Sequence, residues 1–160
     1  MKLDSLLIQL QSWAQEELSA QQRLATVLEQ LLDAVRSGGA EDLLPAGLAL
    51  EEELQTKAGR DVRRHDLMER LARTWSVSAS SLSLASVIER CQSAGVAVGG
   101  LTTLRVELRE AVQAVGKQAR LLAVLGAHHR GVLRDILGIL GESSNDAEAR
   151  RAGVLVDAEG

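Results

Sequence analysis

Phenylalanine and tyrosine are absent from this chain of 160 residues, and Trp13 and Trp75 are its only tryptophans. A stacking platform for nucleobases is thereby excluded, and the core has to be aliphatic, drawn from a hydrophobic share of 46% that is almost wholly Leu, Val, Ala and Ile. Cysteine occurs once, at Cys91, which rules out an internal disulfide and a thiolate metal cluster and fits a reducing cytoplasm. Positive charge is in deficit, with 18 Lys and Arg against 22 Asp and Glu, a net charge of −4 and a pI near 5.4. A surface that gathers nucleic acid by counterion release is therefore not expected. Asp4 breaks the apolar run that a signal peptide would need, and no later run is long enough for membrane insertion.

What the chain does have is spacing. Leu101, Leu104, Leu108, Ala111, Val115, Gln118, Leu122, Leu125, His129, Val132, Ile136 and Ile139 recur at steps of three and four, the seam of a long helix laid against other helices. An earlier segment, from about Asp4 to Ser37, carries Leu7, Leu10, Ala14, Leu24, Leu28, Leu31 and Val35 on one stripe, interrupted by Glu17 and Gln21 as a weak point or a polar register mark. Asp4 is its expected N-cap, Leu3 and Ile8 its hydrophobic staple, and Ser37-Gly38-Gly39 its stop. A second helix is expected from about Asp42, with Pro45 in its first turn, to Ser76. Its stripe would be Leu44, Leu48, Leu54, Ala58, Val62, Met68, Leu71, Ala72 and Trp75, with Glu51 to Glu53 and Arg60, Arg63, Arg64, Arg70 and Arg73 on the wet outer face.

Five serines between Ser76 and Ser83 mark a loop, and a short helix from about Leu84 to Ser93 follows, capped by Ser83. Gly95, Gly99 and Gly100 close that excursion, and the final helix runs from Leu101 to Gly141. The predicted fold is all-α, an elongated antiparallel, coiled-coil-like bundle of three long helices plus one short helix. Residues 1–141 form a single domain and 142–160 a flexible tail.

No constellation in the sequence favours catalysis. His128 and His129 are adjacent, so on a helix they diverge by about 100° and do not converge on one metal. An enzyme or metal protein built on them and His65 is the least favoured reading. Glu107 and Glu110 beside Arg105 and Arg109 read as a solvated salt-laced face, and Cys91 as a small core residue. No catalytic residue, metal ligand or cofactor is expected.

Interaction is the better expectation. From Arg120 onward apolar residues cover more than half of the last helix, and Gly116, Gly126, Gly131 and Gly138, each costing up to about 1 kcal/mol in a helix interior, leave it adaptable. Either the short helix covers the surplus or another protein does. The candidate partner-binding residues are Leu121, Val124, Leu125, Val132, Leu133, Ile136, Leu137 and Leu140.

The stretch Arg60-Asp61-Val62-Arg63-Arg64-His65-Asp66-Leu67-Met68-Glu69-Arg70-Leu71-Ala72, followed by the serine loop and Leu82-Ser83-Leu84-Ala85-Ser86-Val87-Ile88, resembles the FlgN family of flagellar export chaperones. The likeness spans nearly the whole chain. Arg63 and Arg64 match the family's arginine pair, Ser83 and Leu84 the start of its short helix, and Leu121 and Leu122 the leucines of its last helix. Gly116 and Ala119 stand about where the family has two asparagines, and Trp75 where a small helix-ending sequence is common. The resemblance implies a cytoplasmic, all-helical chaperone. It would hold hook-associated (hook-filament junction) proteins unpolymerised with the C-terminal part of its last helix, and hand them to export apparatus components of the type III machinery as a monomer or weak homodimer. The alternative is a cytoplasmic coiled-coil adaptor or self-associating structural protein using the same seam.

Overall fold

The computed structural model describes the backbone of residues 3–157 and the side chains of 3–39, 41–132 and 134–138. Within these residues the protein is all-α, about 90% helical and without strands, and its long helices pack against one another as a bundle. Helix α1 spans Leu3–Ser37, α2 Ala40–Trp75, α3 Leu84–Ser93 and α4 Leu101–Asp157, with one 3₁₀ turn at Ala79–Ser81 in the serine loop. None of the described helices is long and apolar enough to cross a membrane. The chain divides into two units, Met1–Arg120 and Leu121–Gly160.

In the first unit, α1 turns back on itself through Gly38, whose φ of 69° is the left-handed value that glycine adopts without a Cβ penalty, and α2 returns antiparallel. The pairing is fixed by polar contacts. As α1 advances through Glu16, Glu17 and Arg23, their partners recede along α2 as Arg63, Arg60 and Glu53. Trp13 ties the same helices together by donating its indole N–H to the Arg60 carbonyl at 3.0 Å. Below these contacts lies the aliphatic core, where Leu6, Leu10, Leu71, Val87, Cys91 and Leu101 are fully buried and bring the start of α1, the end of α2, α3 and the start of α4 together.

Glu17 and Gln21 prove to be the register mark. Both are buried, Gln21 donates to Glu17 Oε1 at 2.7 Å, and Arg60 Nε donates to Glu17 Oε2 at 2.7 Å. A slide of one turn would leave the carboxylate in an apolar seam without its cation, and a buried unpaired charge is among the costliest defects a fold can carry.

The short helix forms as its local chemistry dictates. Ser83 Oγ accepts from the Ser86 amide at 3.1 Å while Ser86 Oγ accepts from the Ser83 amide at 2.8 Å, a reciprocal cap. Val87, Ile88 and Cys91 form its inward face. The polypeptide then passes Gly95 and Gly99, both at positive φ, and the Gln11 side chain lies against Gly99 and Gly100, where a Cβ would meet it at 3.0 and 3.3 Å.

Several expectations are corrected. Asp4 is not a cap but sits inside the first turn of α1, where its carboxylate still complements the helix dipole. Ile8 is exposed and makes no staple, because the inward arc runs through Leu6, Leu7 and Leu10 instead. Helix α2 begins earlier, at Ala40, so Pro45 lies inside it rather than in its first turn and deprives the Glu41 carbonyl of its usual donor. The expected α2 stripe holds only near its end, at Met68, Leu71 and Ala72, with Trp75 partly buried against the same core. Leu44, Leu48, Leu54 and Val62 are exposed, while Ala46, Glu53 and Arg60 face α1. Finally, α4 does not stop at Gly141. A lone glycine costs only about 1 kcal/mol, and the Ala, Glu and Arg residues from Ala147 to Ala152 favour continuation, so the helical backbone reaches Asp157.

Two outcomes follow. Glu17→Ala, which strands the Arg60 guanidinium, lowers unfolding free energy by about 3 kcal/mol, whereas Glu16→Ala, which breaks the exposed pair with Arg63, costs under about 1 kcal/mol; urea denaturation of the two variants measures the contrast. Burial pushes the Cys91 thiol pKa up. The folded state thus keeps its proton after the unfolded chain begins to lose it, and the resulting stability, full at neutral pH, is lost as pH rises through the folded value. Urea midpoints measured from neutral to alkaline pH fall more steeply in the wild type than in Cys91→Ala, and at neutral pH a thiol reagent labels Cys91 only as fast as the protein unfolds.

Candidate functional site

Burial along the α4 seam declines with position. Leu101 and Leu104 are buried, Leu108, Ala111, Val115 and Gln118 half-buried, and beyond Arg120 the seam goes from half-buried Leu122 and Leu125 to exposed His129, Val132 and Ile136. Leu101 and Leu104 belong to the core cluster that holds Leu6 and Leu10, and Leu108 and Ala111 pack against it. The second unit has no such cluster among the described residues.

Of the eight candidate partner-binding residues, Leu121 is 40% exposed, Val132 43%, Ile136 47%, Val124 65% and Leu137 68%. Leu125 is half-buried. The side chains of Leu133 and Leu140 lie outside the described residues. With 3.6 residues per turn, Leu121, Leu125, Val132 and Ile136 fall within an arc of about 60°, so one apposed helix could cover all of them. Val124 and Leu137 flank that arc on opposite sides, roughly 90° and 130° from its middle, and would meet only the edges of such a partner or a second contact. The structure thus groups the six described candidates into a stripe and its margins rather than one uniform patch.

Burying a Val, Ile or Leu side chain is worth about 1.5–3 kcal/mol, so covering the stripe is favourable, and the ordering of both partners offsets part of the gain. Arg130 and Arg134 share this stretch with a single described carboxylate, Asp135, and no ion pair among the described residues fixes any of them. Around the stripe the chemistry among the described residues is that of an apolar helix contact.

The residues considered for chemistry are dispersed. His65 Nε2 lies 3.2 Å from Glu69 Oε1 on an exposed face of α2, and His128 and His129 stand edge to face with ring centroids 6.2 Å apart. Among the described residues no three His, Cys, Asp or Glu side chains come together as a metal site. The arginines expected on a wet face of α2 are largely engaged: Arg60 with Glu17, Arg63 with Glu16, Arg70 with Asp66 and Arg73 with Glu69.

Sequence reasoning missed the exposed apolar residues Leu44, Leu48, Leu54 and Val62 on α2. The signal was the step of six between Leu48 and Leu54, which leaves the helical stripe, and the spacing of Glu53 and Arg60, seven apart and opposite in charge to Arg23 and Glu17 on α1. Compared with known proteins, the chain matches no protein family, no curated protein and no solved structure.

Proposed function

We propose that the protein is a type III flagellar export chaperone, without enzymatic activity, that binds hook-associated proteins in the cytoplasm and keeps them from polymerising before export. The observation that carries this reading is the stripe Leu121, Val132 and Ile136, left substantially in water on a helix that is otherwise regular. An amphipathic terminal helix of the client, with apolar residues at three- and four-residue spacing, would lie along it as a helix in a groove. The likeness of Arg63, Arg64, Ser83, Leu84, Leu121 and Leu122 to the FlgN pattern supports the assignment of the client class and of the export apparatus as the receiving partner.

Capture of this kind suits a carrier. The apolar contact supplies affinity, while the ordering cost on both sides keeps the complex releasable when the client is drawn into the export gate. The self-associating adaptor is the competing reading, because steps of three and four residues also describe a coiled-coil seam.

The deciding experiment is titration calorimetry of the purified protein with a hook-filament junction protein, alongside light scattering of the protein alone. The reading requires a saturable complex for the wild type and at least a tenfold weaker one for the double variant Val132→Asp, Ile136→Asp, with the helical circular dichroism retained. Equal affinity of the two proteins, absence of a wild-type complex, or a stable homodimer abolished by the same substitutions overturns it.

A further inference from the structure

Four of the five arginines of α2 have carboxylate partners, and Arg64 alone has none within ion-pair distance among the described residues. It stands at the rim of a groove of about 420 Å³ in the first unit, between α2, the serine loop and the first turns of α4. The floor is apolar, made by Trp13, Met68, Leu84 and Leu108, with Leu84 and Leu108 only partly buried against the core. His65 is the other cation-capable group on the rim.

We propose that this groove is a docking site for an acidic peptide segment of a partner protein, one in which leucine-sized side chains flank an aspartate or glutamate. The volume suits two or three aliphatic side chains, within the range of small-ligand and peptide pockets. The charge selects the sign of the partner. On a helix where every other guanidinium is neutralised within the chain, Arg64 offers an uncompensated donor fork beside an apolar floor, the arrangement that favours a carboxylate next to a buried anchor. A free phosphate would find one guanidinium where anion sites normally gather several donors, which makes the peptide the better match. The Arg63-Arg64 pair of the sequence is thus divided by the structure. Arg63 holds α1 through Glu16, while Arg64 is left for something outside the chain.

The inference does not rest on the assignment of the α4 stripe. Its test uses a short fluorescein-labelled peptide of leucine and aspartate, a counterpart with lysine for every aspartate, and the full-length protein, read by fluorescence anisotropy. The aspartate peptide binds the wild type saturably and the lysine peptide does not. Arg64→Ala weakens binding about fivefold and Arg64→Glu by about tenfold or more, while Val132→Asp, Ile136→Asp leaves it unchanged. Equal binding of the two peptides, no binding of either, or indifference to both Arg64 variants overturns the proposal. So does displacement of the aspartate peptide by inorganic phosphate beyond that caused by chloride at the same ionic strength, which would assign the groove to a free anion.

Discussion

The hydrogen-bonded set of Trp13, Glu17, Gln21 and Arg60 is the constraint on which the rest of the first unit depends. Aliphatic helices are poor at specifying how they slide past one another, since a Leu stripe displaced by one turn meets another Leu stripe at nearly the same energy. A buried carboxylate that must meet one guanidinium removes that degeneracy. With α1 and α2 held in register, Leu6, Leu10 and Leu71 meet the inward face of α3 and the first turns of α4, and the core closes.

That closure is local. The core consumes the start of α1, the end of α2, the inward face of α3 and the beginning of α4, and its buried residues on α4 are Leu101 and Leu104. The same three- and four-residue pattern continues along α4 through Val132 and Ile136, where the side chains stay in water. Under the proposed reading, one repeated pattern serves two purposes: at its start it builds the chaperone, and at its end it offers a client the surface that the client will later bury against copies of itself.

How much of this could be read in advance depends on the range of the physics involved. The Ser83 cap, the left-handed stop at Gly38 and the start of α4 at Leu101 were legible because each is decided within a few residues by hydrogen bonding or backbone conformation. The all-α class was legible from periodicity. Errors came where a neighbour decides. Leu44, Leu48 and Leu54 look like core until Ala46, Glu53 and Arg60 are seen to face α1. Ile8 looks like a staple until Leu6 and Leu7 take the interior. For the candidate site, composition marked the apolar surplus after Arg120. The split into a stripe of Leu121, Leu125, Val132 and Ile136 with Val124 and Leu137 at its margins needed the helix itself. The groove at Arg64 was invisible for the same reason, since an arginine's partners are a tertiary fact.

The central claim is that residues 121–138 hold an apolar face whose cover comes from another protein. Amide hydrogen exchange of the free protein and of its mixture with a hook-associated protein tests it most directly. The account predicts low protection from Leu121 to Gly138 in the free protein, strong protection from Leu101 to Leu108, and a rise confined to the former stretch when the client is added. Protection from Leu121 to Gly138 that already equals that of Leu101 to Leu108 in the free monomer, and does not change with the client, would contradict it.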